Sequence, residues 1–260
     1  MLLDRFIGRT PPGHLLVACF PKSGSTYLTK GLALATGLPL RHVSAAFGHN
    51  EQDILERRLK RLTRRSVIQQ HIKGTDNNVA LLQSHSVRPV VLVRNIFDTL
   101  VSLDDHLRQE DHRAPTGYVH RQFWQMDFED RLHYLIQVHL PWYFNFFVSW
   151  REAAERIQIL WLTYERLFDD VPHALAEVLG FHGLSVGHER LTQVVETLRD
   201  ADTRFNKGVR GRGDDLLSEA HKDAIHRLAA VWQLEPRALA LIGLAESTRP
   251  AIDFSTGRFA

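Results

Sequence analysis

Cysteine is nearly absent: Cys19 stands alone in 260 residues. A disulfide within the chain and a cysteine-built zinc site are both excluded, and a reducing compartment is the simplest expectation. An excess of one charge is also missing, because 32 Lys and Arg face 30 Asp and Glu for a net +2. That balance argues against a general nucleic-acid binder, so any preference for anions must come from local patches. No stretch approaches the roughly 18 consecutive apolar residues that suggest a membrane span. The opening MLLDRFIGRTPPG carries Asp4 early and has no apolar run of signal-peptide length. A cytoplasmic protein without a transmembrane segment is expected. Internal repeats and low-complexity tracts are lacking, and the length suits one domain over 1–260.

What is present is an alternation of short apolar runs with helical patterns. HLLVACF (14–20) and RPVVLVR (88–94) are continuous apolar runs bounded by turn residues, as in buried parallel strands. SVIQQHI (66–72) and IQILWLTY (157–164) also read as strands. Helical spacing marks 25–35, 77–85, 95–106, 128–154, 171–181, 188–199 and 218–232. EQDILERRLKRLTRR (51–65) reads as an amphipathic helix with Arg57, Arg58, Lys60, Arg61, Arg64 and Arg65 outside. Residues 107–127 lack periodicity and read as an irregular, lid-like segment, with Trp124 as its candidate lid residue. The tail, 247–260, is expected to fray. Strands alternating with helices imply a three-layer α/β/α fold around a mostly parallel sheet.

The first strand ends in PKSGSTYL (21–28), where a glycine turn and Ser-Thr open a helix. Such a junction attracts anions, because first-turn N–H groups are unpaired and the helix dipole adds about half a positive charge. Gly24 permits close backbone approach. Lys22 adds a full charge, and Ser23, Ser25 and Thr26 add hydroxyls. The loop is not the common nucleotide-triphosphate pattern, in which Lys follows the glycine. A second anchor is VLVRNIFDTLVS (91–102), with Arg94 at the carboxyl end of a strand, where ligands of open α/β sheets bind. Arg94 and Ser102 can hold a second phosphate.

Together, PKSGSTYL and R-N-x-F-D-x-x-V-S resemble the sulfotransferases that use 3′-phosphoadenosine 5′-phosphosulfate (PAPS), with a weaker likeness reaching about residue 215. The resemblance implies a sulfuryl transfer from PAPS to an acceptor hydroxyl, or amine, by in-line displacement. It implies that Lys22 meets the leaving phosphate and that Gly24, Ser25 and Thr26, with Ser23 beside them, hold the 5′-phosphate. Tyr27 and Tyr164 would reach the adenine, and Arg94 and Ser102 would take the 3′-phosphate. FNKGVRGRGDD (205–215) is similar to the family's R-K-G-x-x-G-D segment, with Lys207 and Gly208 matching. Asn206 stands where Arg is usual, the glycine–aspartate spacing is altered, and Arg210 or Arg212 could supply the missing charge.

An attacking hydroxyl must lose its proton, and histidine suits that task. Of 15 histidines, His71 is the candidate base, at the end of a strand ahead of the 3′-phosphate motif, as in the family. His106 and His112 are runners-up. The family's Lys shortly before this histidine is absent, and Gln69 and Gln70 occupy the stretch. Asp98, Asp104 and Asp105 read as solvated or capping carboxylates. PAPS carries an already activated sulfuryl group, so the chemistry requires no metal. An ATP- and Mg²⁺-dependent phosphotransferase and a non-catalytic nucleotide-binding module are the alternatives. The acceptor stays open between alcohols, phenols, lipids, glycans and carrier-bound intermediates.

Overall fold

The computed structural model describes residues 13–46, 51–109, 114–199 and 210–245. Within them, five parallel strands form one sheet: β1 (Leu15–Cys19), β2 (Leu40–Arg41), β3 (Val67–Gln70), β4 (Pro89–Val93) and β5 (Leu160–Thr163). Their spatial order is β2-β3-β1-β4-β5. The chain therefore moves from β1 to one side, then crosses back to build the other. That reversal makes the carboxyl end of β1 a switch point, where a crevice opens between crossovers.

Alternation along the strands explains why both faces are apolar. Leu15, Val17 and Cys19 enter one core, together with Val67, Val90, Leu92, Leu160 and Leu162. Leu16, Ala18 and Phe20 enter the other, with Ile68, Val91 and Val93. Successive side chains of a strand point to opposite faces, so a strand covered on both sides needs an unbroken apolar run. Helices α1 (Ser25–Thr36), α8 (Val171–Phe181) and α9 (His188–Arg199) cover the first face. The second is covered by α4 (Ile96–Gln109), α6 (Leu140–Ala153) and α11 (Glu219–Ala230). The three-layer expectation is met.

Shorter helices complete the chain: α2 (Glu56–Lys60), α3 (Asp76–Ser84), α5 (Phe128–Tyr134), α7 (Tyr164–Asp169), α10 (Arg212–Leu216) and α12 (Pro236–Leu241). Between α5 and α6 the helix widens into a π segment, Leu135–His139. Pro141, in the first turn of α6, has no N–H to close a bond on the carbonyl four residues back, which favours a locally wider helix.

Two sequence expectations need correction. The amphipathic helix over 51–65 is only the single turn and a half of α2. The N–H groups of Ile54 and Leu55 bond instead to the Asn78 side chain (2.9 Å) and the Val43 carbonyl (2.8 Å). Arg65 reaches the His182 carbonyl at 2.6 Å, so the basic face is not a continuous patch. The irregular segment 107–127 is partly regular: α4 runs to Gln109, and Arg121–Gln125 form a 3₁₀ turn that buries Phe123. Trp124 is half-buried, and its indole donates to the Leu107 carbonyl (3.1 Å), so it is packed onto the fold. The tail at 247–260, His112, Asn206, Lys207 and Gly208 lie outside the described residues.

Candidate active site

Adjacent strands deliver three groups to one sheet edge. β1 pairs with β3 through Ala18 and Gln70, and with β4 through Cys19 and Leu92. His71 therefore leaves β3, the Pro21–Gly24 turn leaves β1, and Arg94 leaves β4 at about the same level.

The turn is built for an anion. Lys22 has φ 68° and Gly24 has φ 78°, both left-handed. Ser23 is fully buried, and its hydroxyl donates to the Phe20 carbonyl (2.7 Å), which fixes the turn rather than reaching outward. Left-handed residues in a short turn bring successive N–H groups together as a concave nest for anions. Gly24 is the N-cap of α1 and provides no side-chain cap, and no acidic residue occupies the first turn. By contrast α3, α8 and α11 are capped by Thr75, Asp170 and Ser218. The Ser25 hydroxyl accepts from the Gln69 amide (3.0 Å), whose oxygen in turn accepts from the Thr29 hydroxyl (3.1 Å). Gln69, standing where the family has its cation nearby, thus orients a loop hydroxyl.

Arg94 is buried and ties the carboxyl end of β4 to the Lys22 turn. Its Nη1 donates to the Lys22 carbonyl at 3.0 Å. Its guanidinium lies 4.0 Å from the centre of the Tyr164 ring, a stacked cation–π contact. Its Nε is buried with no hydrogen-bond partner among the described residues, as is the hydroxyl oxygen of Thr99. Asp98 lies 3.6 Å from Arg94 and is only 4% exposed. The same carboxylate accepts from the N–H groups of Gly211 (3.0 Å) and Gly213 (2.8 Å). A Cβ on Gly213 would lie 2.4 Å from Phe97, so only glycine lets this segment reach Asp98. Ser102 is buried on α4, four residues beyond Asp98 and hence on the same face.

The expectation that Asp98, Asp104 and Asp105 are solvated is corrected, while Asp98 does cap a helix, accepting from the N-terminal N–H groups of α10. Asp98 organises the site, Asp104 is buried against Arg131 (2.7 Å), and Asp105 pairs with Arg212 (2.7 Å). Arg210 pairs with Asp169 at the end of α7. The arginine candidates for the segment's missing charge therefore both hold carboxylates.

Tyr27 and Tyr164 meet through a residue that sequence reasoning missed. Phe168 lies one helical turn beyond Tyr164, with ring centres 4.5 Å apart, and 5.1 Å from Tyr27. A Cβ on Gly24 would come within 2.8 Å of Phe168 and 3.2 Å of Tyr164. The aromatic group thus backs directly onto the Lys22–Gly24 turn. The i, i+4 spacing of Tyr164 and Phe168 was the available signal.

His71 is held from three sides. Its Nδ1 lies 2.9 Å from the Cys19 carbonyl, which can only accept, so Nδ1 carries the proton and Nε2 is the basic nitrogen. The Cys19 sulfur lies 3.4 Å from the same nitrogen. The backbone N–H of His71 donates to Glu51 Oε2 at 2.9 Å, and Glu51 is fully buried and also accepts from the Gln70 amide. Burial opposes protonation of His71, but the Cys19 sulfur and carbonyl and the Glu51 carboxylate outweigh it, raising its pKa from 6.5 to about 9. No sequence pattern pointed to Glu51. His106 lies on α4.

Beyond His71, the chain is fastened to α6. The Trp150 indole donates to the Ile72 carbonyl (2.9 Å), and the Gly74 N–H donates to the Ser149 hydroxyl (2.9 Å). Phe20, Tyr143 and Trp142 form an edge-to-face series beside it, with ring centres 5.0 and 5.5 Å apart. Among the described residues no group of three or more His, Cys, Asp or Glu is placed to hold a metal ion. No helix among them is long and apolar enough to cross a membrane.

The family model for the sulfotransferase domain matches residues 12–212. No curated protein sequence matches the chain. Among solved structures, the chain is similar to the mouse sulfotransferase SULT7A1 complexed with PAP. The TM-score is 0.67 at 16% identity, covering 90% of this chain and 89% of that one. It is also similar to a retinol dehydratase in complex with androsterone and the inactive cofactor PAP, with TM-score 0.62, 17% identity, and 93% and 84% covered. At these identities the structural likeness concerns the fold.

Proposed function

Because the chain belongs to the sulfotransferase family, we propose that its donor is PAPS, its acceptor group a hydroxyl and its base His71. The observation that carries this reading is the Arg94–Lys22 carbonyl bond, which fixes the two expected phosphate anchors as one unit beside His71. The residues present fit the nucleotide. The amides of the Lys22–Thr26 turn, with the Ser25 and Thr26 hydroxyls, suit a 5′-phosphosulfate. Arg94, with an unpartnered buried Nε, and Ser102 suit a 3′-phosphate. Tyr27, Phe168 and Tyr164 offer aromatic surface for adenine. Lys207, Gly208 and Arg210 belong to the segment that would close over the 3′-phosphate.

The donor supplies a sulfuryl group already activated by its bond to phosphate. The acceptor oxygen forms a bond to sulfur as the sulfur–oxygen bond to phosphate breaks. His71 Nε2 receives the hydroxyl proton, and the Nδ1–H bond to the Cys19 carbonyl steadies the imidazolium that results. Lys22, on the turn itself, offsets the charge that develops on the leaving phosphate. These roles need no metal ligand.

The test is calorimetric titration with adenosine 3′,5′-bisphosphate (PAP), beside ADP and ATP with Mg²⁺. Tight binding of PAP alone is expected, weakened at least tenfold by Arg94→Ala and nearly unchanged by His71→Ala. The His71→Ala protein should lose turnover. Preference for ATP with Mg²⁺ would favour a phosphotransferase instead, and binding of none would point to a degenerate module that has lost its nucleotide site.

A further inference from the structure

Two residues past the base, Lys73 is half-buried in a setting that gives its charge no carboxylate contact among the described residues. Its Nζ donates to the neutral Gln52 side chain (3.0 Å) and lies 5.6 Å from the centre of the Trp142 ring. Burial pulls its pKa below 10.5, against an opposing pull from Asp53, which is exposed. Holding an ammonium there on a neutral amide and a ring face is costly unless an anion shares the site. Beside it, the Trp142 indole N–H is buried with no partner among the described residues. The surroundings are fixed. Gln52 also donates to the Pro115 carbonyl (3.5 Å), and the next residue, Thr116, bonds to the fully buried His139 of the π segment (2.7 Å). Lys73 itself sits between the two backbone groups fastened to α6, at Ile72 and Gly74. It is at most roughly 7 Å from His71 between Cα atoms, as two residues of chain allow.

We propose that Lys73 and the Trp142 indole form an anion subsite for the acceptor, so that preferred acceptors are hydroxylated carboxylates. The proposal rests on the sulfotransferase reading and names the acceptor class for the same site. A carboxylate there accepts from both donors and neutralises the half-buried charge. A neutral acceptor of the same shape leaves both groups unmatched, which is the kind of loss that separates substrates by large factors.

The experiment uses the full chain loaded with PAP, titrated with 3-(4-hydroxyphenyl)propionate and with its amide, and repeated with 4-hydroxybenzoate and its amide. Turnover of each pair with PAPS is measured in parallel. The carboxylate of at least one pair should bind tenfold or more tighter than its amide, with a similar bias in kcat/KM. Lys73→Gln should bring that ratio to within twofold of one, and Lys73→Arg should restore most of it. PAP affinity in each variant reports that the fold is intact. Equal binding of carboxylate and amide by the PAP-loaded wild type, or a ratio that survives Lys73→Gln, would overturn the proposal alone. A wild-type chain that bound no PAP would overturn the nucleotide reading and this one with it.

Discussion

Removing the charge of Asp98 should destabilise the fold around Arg94, and the proposed nucleotide should repair part of the loss. In Asp98→Asn one oxygen still accepts, but the other position becomes an NH₂ that faces a backbone N–H in either orientation, and in one of them Arg94 as well. Asp98 makes two charge-assisted bonds to Gly211 and Gly213 and faces Arg94 at 3.6 Å, all in buried surroundings. Bonds to charged groups contribute about 1.5–3 kcal/mol each. Breaking a buried ion pair from one side costs about 3–5 kcal/mol. These overlap, since both count the Arg94 charge and the same carboxylate, so the larger range is the total. For a chain of this size each kcal/mol moves the melting temperature by about 2–4 °C, giving a fall of roughly 6–20 °C without nucleotide. Saturating PAP should recover part of the loss, because a phosphate dianion replaces the missing counter-charge of Arg94. Differential scanning calorimetry with and without PAP reads both quantities. A fall below about 3 °C would refute the role given to the Asp98 carboxylate. A full fall with no recovery by PAP would refute the placement of a phosphate at Arg94.

The raised pKa of His71 gives kcat/KM an ascending limb. The base works only when deprotonated, so activity should rise with pH through about 9. Cys19→Ala, which removes the sulfur 3.4 Å from Nδ1, should move that limb to lower pH; an unmoved limb would refute the contribution of the sulfur. The same shift stabilises the fold fully below 6.5, the ordinary histidine value, and that contribution should fade as pH rises towards 9, which denaturant midpoints across the range can check. Gly24→Ala combines a left-handed φ with a Cβ 2.8 Å from Phe168. It should cost about 2–3 kcal/mol of stability and weaken PAP at least tenfold. A variant that titrates like wild type would show that the turn tolerates a side chain.

Some of this was legible because it is periodic or local. The unbroken runs LLVAC and PVVLV announce strands buried on both faces, and the observed strands, Leu15–Cys19 and Pro89–Val93, lie within the apolar stretches read from sequence. Helix α9 matches its expected limits of 188 and 199, because its apolar positions repeat at helical spacing between polar neighbours. The turn at Lys22–Thr26 was legible from glycine and hydroxyl chemistry at a strand end. The segment 51–65 misled for a physical reason. Ile54 and Leu59 do bury, but the donors of Ile54 and Leu55 are taken by Asn78 and Val43, and those partners leave no trace in the local pattern.

The deeper misses share that cause. Asp98 sits in the first turn of a helix, where a carboxylate ordinarily faces water or caps the helix end. Its role is fixed by Gly213, 115 residues away, and by the absence of a Cβ there. Glu51 is fixed by the backbone of His71, twenty residues on, and Lys73 by a tryptophan on another helix. Periodicity reports which face of an element is apolar. It carries no information about a polar side chain buried for a single long-range partner, because such a residue interrupts the pattern instead of extending it. In this chain Asp98, Glu51 and Lys73 interrupt their local patterns, and all three stand within contact of Arg94, His71 or the ring series beside them. A buried polar interruption next to a strand end is therefore the feature that most directly locates the chemistry, and it becomes readable only once the sheet order has placed β3, β1 and β4 side by side.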